Sequence, residues 1–147
     1  MNNKFRIREA GLQDAPEINL INRTSLKYDL PVADTEKKLA NVLLKDYYKI
    51  YVCTDENDKA VGYIQLQDYE ATYFRSTINV LALAVLEEYR GQGIGKALLK
   101  NGEEYAASKG YDMIRLNSGA ERGEAHKFYE HLGYDCLKMQ KCFVKDL

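Results

Sequence analysis

The chain has 147 residues, enough to bury a core within one domain without disulfide or metal staples. A formal net charge of −1 argues against a broad electrostatic footprint for nucleic acid. Three cysteines, an odd number with no C-x-x-C pair, fit reduced thiols in a cytoplasm.

Residues 1–4 run straight into an alternating strand at 5–9, with no basic-then-apolar leader, so neither a targeting segment nor a membrane span is expected. Asp14-Ala15-Pro16-Glu17 offers an N-cap, an early proline and a capping-box acid, which predicts a helix to about Lys27 with Ile18, Leu20 and Ile21 on its apolar side. Tyr28-Asp29-Leu30-Pro31 breaks it. Asp34 or Thr35 caps a second helix to about Lys45, carrying Leu39, Val42 and Leu43. Strands follow at 48–54 and 60–67 around the polar turn Asp55-Glu56-Asn57-Asp58. Residues 68–76 read as a loop rich in aromatic and acidic side chains, and 77–85 as a buried central strand. A helix at about 93–109 stops at Lys109-Gly110. A strand at 113–117, a short helix at 124–132 and a last strand at 136–144 complete the chain. Cys136 and Cys142 share one face of that last strand and are expected in the core. Hairpin-linked strands favour an antiparallel half, and the later strand–helix steps a parallel one. The expected fold is one α/β (α+β mixed) domain over 1–147, a mixed sheet with helices on both faces.

Arg90-Gly91-Gln92-Gly93-Ile94-Gly95 sits between the apolar run 80–86 and the helix that begins near Lys96. Glycines let a main chain approach an anion closely, and the unpaired N–H groups of a first helical turn point at bound oxygens. The helix dipole, Arg90 and Lys96 add positive charge, so a phosphate or diphosphate ligand is expected. Walker A fails because Arg90 stands where its first glycine belongs and Ala97 supplies no magnesium hydroxyl. The dinucleotide fingerprint fails because Lys96 replaces its third glycine.

The Arg-x-x-Gly-x-Gly spacing at Arg90, Gly93 and Gly95, preceded by Leu83-Ala84-Val85, resembles the signature of the GCN5-related N-acetyltransferases. Ala125-His126-Lys127-Phe128-Tyr129-Glu130-His131-Leu132-Gly133-Tyr134 resembles that family's second motif, and the two cover about residues 78–134 in the right order. The resemblance implies a mostly antiparallel sheet of six or seven strands, acetyl-CoA as co-substrate, and direct acetyl transfer to a primary amine of a small molecule or protein. It implies that Leu83, Ala84 and Val85 hold the pantetheine arm and thioester beside a bulge in the central strand. Arg90, Gly91, Gln92, Gly93, Ile94, Gly95 and Lys96 would hold the diphosphate. Tyr129 matches the general acid for the leaving thiolate and also contacts the carrier. Where the family commonly has Asn, three residues before Ala125, this chain has Arg122; either Asn117 or Ser118 takes over its contact with the arm or the arm is held differently, and Arg122 is a surface arginine by default or meets a phosphate or an acceptor carboxylate. Pairing into a homodimer follows by analogy with the family.

The general base stays open. The central strand carries no carboxylate, leaving Glu70 first, with Asp68, His126 or water behind it. His126 with Glu130 lacks a third ligand, so no metal is expected. Tyr69, Tyr73 and Phe74 with Asp68 and Glu70, and Tyr28 with Asp29, suit a cationic amine acceptor. A CoA-binding sensor without turnover is the competing reading; it needs the glycine loop but not Tyr129.

Overall fold

Strands β1 (Arg6–Glu9), β2 (Tyr48–Thr54), β3 (Ala60–Ala71), β4 (Phe74–Val85) and β5 (Ile114–Leu116) join edge to edge in chain order. Every neighbouring pair is antiparallel except β4–β5, which is parallel. The structure, a computed structural model, describes residues 2–147 and divides them into two compact units, one ending at Leu116 and one spanning Asn117–Leu147.

In the first unit, successive side chains of β3 point to opposite faces. Helix α3 (Ile94–Ser108) covers the face bearing Ile64 and Leu66. A Cβ on Gly102, midway along α3, would lie 3.2 Å from Ile64 Cδ1 and from Leu66 Cδ2, so the absent side chain sets how closely the helix docks. Ile64, Leu66, Ile78, Leu98 and Leu99 are fully buried. Helices α1 (Ala15–Ser25) and α2 (Val32–Leu43) serve the other face, where the Tyr63 hydroxyl donates to Asn22 Oδ1. Asn19 ties the two helices together, donating from Nδ2 to Leu30 O at 2.7 Å and Thr35 Oγ1 at 2.9 Å. The mixed sheet with helices on both faces is therefore as expected.

Two expectations change. Residues 68–76 are not a loop: β3 runs to Ala71 and β4 starts at Phe74, with Tyr69 opposite Thr77 and Ala71 opposite Phe74. Strand-forming Tyr69, Phe74 and Thr77 prevail over the local acidic composition. The sheet has five strands among the described residues rather than six or seven, because 136–144 is not a strand. A strand is made by pairing, and that segment has no strand partner among the described residues.

The second unit contains α4 (Gly123–His131), closed by Gly133 at φ 90° and by Tyr134 N–H donating to Tyr129 O at 3.0 Å. Residues 134–147 follow without regular secondary structure. Leu137, Met139, Phe143 and Val144 are exposed there, as are Cys136 and Cys142, so these cysteines are not core residues. No helix of the described residues is long and apolar enough to cross a membrane.

Candidate active site

The end of β4 has one edge without a strand beside it. Strand β5 pairs with β4 only over Ile78, Asn79 and Val80, so beyond Val80 no strand of the described residues pairs with the β5-side edge of the main chain. Leu86 N–H donates to Val61 O at 2.9 Å, toward β3. Alternation then turns the N–H groups of Val85 and Leu83 toward the open edge. The bulge expected in the central strand is present: Gln65 opposes Ala82 but Leu66 opposes Val80, which leaves Leu81 as the extra residue. At the strand's end, Val85 O accepts from Ser25 Oγ at 3.1 Å and Arg90 Nε at 3.3 Å.

A single 3-10 turn over Glu87–Tyr89 leads from β4 into the glycine loop, closed by Tyr89 N–H to Leu86 O at 2.9 Å and Arg90 N–H to Glu87 O at 3.1 Å. Tyr89 packs edge-on against Phe5, 5.9 Å between ring centroids. Gly91 and Gly93 take left-handed backbone conformations, φ 77° and 83°, open to glycine at least cost. Gly93 caps α3 with no side chain to occupy the helix end. The first main-chain bond into the helix runs from Ala97 N–H to Gly93 O at 3.0 Å, so Ile94, Gly95 and Lys96 bring N–H groups with no carbonyl behind them. Those donors, the helix dipole and the exposed Lys96 make a cradle whose chemistry fits a diphosphate.

Packing aims the cradle. Ile94, in the first turn of α3, is buried against Gly62 of β3, the residue paired with Val85. Sequence reasoning missed Gly62, although a glycine inside an alternating strand is a signal of close approach.

The two carboxylates named as candidate bases both lie on β3, next to β4. Glu70 is eight residues along β3 from Gly62, about 26 Å at strand spacing. Its Oε2 accepts from Ser76 Oγ at 2.9 Å. Asp68 lies opposite Ile78, and its Oδ2 accepts from Lys109 Nζ at 2.6 Å. Arg115 lies over the Tyr69 ring at 4.5 Å. Tyr73 and Tyr28 are exposed.

One polar chain on the sheet was not foreseen. Asn79, buried opposite Gln67, donates from Nδ2 to Gln67 Oε1 at 3.4 Å. Its Oδ1 accepts from Arg115 Nη1 at 2.7 Å. Arg115 is the β5 partner of Asn79, a contact no local pattern announces.

In the second unit, burial holds the Tyr129 phenol above its ordinary pKa while Arg122 pulls it back. His126 Nε2–H donates to Gly119 O at 2.8 Å, which commits that nitrogen to a structural contact. Arg122 is exposed at the N-cap of α4. Asn117 is exposed, and Ser118 Oγ is buried without a hydrogen-bond partner among the described residues.

A family model described as the acetyltransferase (GNAT) family matches residues 15–134. An N-alpha-acetyltransferase of Sulfurisphaera tokodaii is 28% identical, with 97% of this chain and 87% of the relative covered. Among solved structures, a putative acetyltransferase from Agrobacterium tumefaciens superposes with a TM-score of 0.85 at 23% identity, covering 95% of this chain and 99% of that one. AAC(6')-Iy, solved with the bisubstrate analogue CoA-S-monomethyl-acetylneamine, superposes at 0.83 with 15% identity, covering 97% and 99%. At these identities the superpositions speak for the fold.

Proposed function

Because the chain belongs to the acetyltransferase (GNAT) family, we propose that it moves an acetyl group from acetyl-coenzyme A directly to a primary amine. The carrier supplies an activated thioester; the protein supplies position, hydrogen-bond donors and a proton. In this reading the N–H groups at the start of α3 hold the diphosphate, with Arg90 and Lys96 adding charge. The Leu83 and Val85 N–H groups take the pantetheine arm and the thioester carbonyl, whose oxygen gains negative charge as the amine attacks. Ala84, between them, belongs to the same carrier-binding segment. Asn117 or Ser118 takes the arm contact that the family's asparagine makes, and Ser118 Oγ, without a hydrogen-bond partner among the described residues, suits that role. As the carbon–sulfur bond breaks, Tyr129 gives its phenolic proton to the thiolate, and its raised pKa keeps it protonated at neutral pH. The base that takes the proton of the incoming ammonium is Glu70 in this reading, with Asp68, His126 or water behind it.

The open donor edge of β4 running into a helix start carries this reading. Pairing of two copies belongs to it as well, supported by the exposed Leu137, Met139, Phe143 and Val144; sedimentation tests it. Calorimetry with acetyl-coenzyme A, followed by a thiol-release assay over a panel of amines, tests the transfer. Binding with turnover is expected, and Tyr129→Phe should slow thiol release while leaving carrier affinity nearly intact. Binding without turnover on any amine would instead favour a sensor.

A further inference from the structure

Within that reading of the site, the end of β4 offers the Val85 N–H to the thioester oxygen, and a strand edge does not present a donor alone. In a strand the N–H and C=O of one residue point to the same side, since paired residues exchange both bonds. Leu86 N–H turns toward β3, donating to Val61 O at 2.9 Å. Val85 therefore carries its carbonyl, as well as its N–H, on the side away from β3. A bare carbonyl beside that donor would repel the oxygen that gains negative charge during attack.

Val85 O is covered from two directions. Ser25 Oγ donates to it at 3.1 Å in a part-buried bond, and Arg90 Nε donates at 3.3 Å in an exposed one. The shorter and more sheltered of the two competes less with water. Thr24, next to Ser25, turns its hydroxyl to Leu20 O of its own helix at 2.8 Å, whereas Ser25 reaches a strand 60 residues further along the chain.

The helix end that delivers Ser25 is fixed in its own right. Ser25 is the last residue of α1, and the Tyr63 hydroxyl ties the same turn to the sheet by donating to Asn22 Oδ1. Asn22 O accepts from Leu26 N–H at 3.2 Å and Tyr28 N–H at 3.0 Å, and Lys27 closes the helix at φ 65°.

We infer that Ser25 is a positioning residue for acyl transfer: its hydroxyl covers the Val85 carbonyl, so that β4 ends on a donor with no competing acceptor beside it. The serine acts through Val85 and touches neither carrier nor amine.

Ser25→Ala and Ser25→Thr, set against the wild type by calorimetry and turnover, test the inference. Acetyl-coenzyme A and coenzyme A differ only at the acyl group, so the ratio of their affinities reads the thioester contact and leaves the diphosphate out. In Ser25→Ala the affinity for coenzyme A should stay within about twofold, while the preference for acetyl-coenzyme A shrinks about threefold. With the best amine of the panel, kcat should fall about tenfold, less than the loss of an oxyanion donor itself. Ser25→Thr keeps the hydroxyl and should recover most of both losses. A purely structural role would weaken both carriers together and leave their ratio alone. Should Ser25→Ala fail to fold, Ser25→Cys, close in volume and a weak donor, should show the same losses. An unchanged ratio or an unchanged kcat in a folded Ser25→Ala or Ser25→Cys overturns the inference, as does a folded Ser25→Thr no better than Ser25→Ala. If the wild type turns over no amine, acetyl transfer falls and the affinity ratio still decides the role of Ser25. A preference for acetyl-coenzyme A that Ser25→Ala loses would sustain it; no preference in the wild type, or one the variant keeps, would sink it.

Discussion

Gly62 lies directly beneath Ile94: a Cβ on the glycine would stand 3.2 Å from Ile94 Cγ2 and 3.1 Å from the Ala84 carbonyl oxygen. One hydrogen in place of a methyl thus joins the strand that offers donors to the helix that offers its N-terminus. Gly62→Ala must push Ile94 outward or bend β4, and overpacking of this kind costs about 1–3 kcal/mol. The dipole effect fades within one helical turn, so a small tilt matters for the diphosphate. Thermal melting should show a modest loss of stability, while calorimetry shows acetyl-coenzyme A affinity falling by about tenfold, equivalent to 1.4 kcal/mol. Undiminished affinity in a destabilised variant would detach the helix start from carrier binding.

Tyr129 and Arg122 oppose one another in setting when the phenol ionises. Burial raises the pKa, which keeps the acid form present to higher pH, so the alkaline limb due to Tyr129 should lie above about pH 10. Arg122 stabilises the phenolate; Arg122→Ala therefore moves that limb upward. Phenolate absorbance, taken as the difference between wild type and Tyr129→Phe, reads this ionisation directly. A limb below pH 10, or a downward shift in Arg122→Ala, contradicts the assignment.

Asp14 illustrates a local pattern redirected by a distant partner. It occupies the N-cap position of α1, but its carboxylate does not cap that helix. It accepts from Arg8 Nη1 at 2.8 Å, Arg8 Nη2 at 2.9 Å and Gly11 N–H at 2.8 Å, and is almost wholly buried. Asp14→Ala should cost roughly 1.5–3 kcal/mol, the range for hydrogen bonds to a charged group, read as a lower denaturation midpoint. A loss of only a few tenths would reduce the pair to a surface contact.

Features that depend on neighbours in the chain were legible beforehand. The glycine loop, the helix behind it, the 48–54 strand and α4 follow from periodicity and turn chemistry, and their limits shift by only a residue or two. What depends on pairing was hidden. The bulge at Leu81 exists only in the register between β3 and β4. Asn79 meets Arg115 across 36 residues, because β5 returns parallel to β4. Glu70 read as a loop acid until hairpin pairing carried it far along β3. The last strand failed for the same reason, since alternation alone supplies no partner.

The three cysteines should separate cleanly by reactivity. Cys53 is fully buried in β2, and burial pushes its thiol up to about 11, whereas Cys136 and Cys142 are exposed. Because the thiolate is the reactive form, an aromatic disulfide reagent at neutral pH should modify two thiols promptly and the third only on unfolding. The same shift makes Cys53 a source of alkaline instability. The unfolded thiol loses its proton from about pH 8.5 while the folded one keeps it, so stability falls as pH rises toward the folded value. Replacing Cys53 with alanine should flatten the pH dependence of the denaturant midpoint over that window, at the cost of a small cavity. Three equally fast thiols, or an unchanged slope in the variant, would show that β2 opens far more readily than its packing implies.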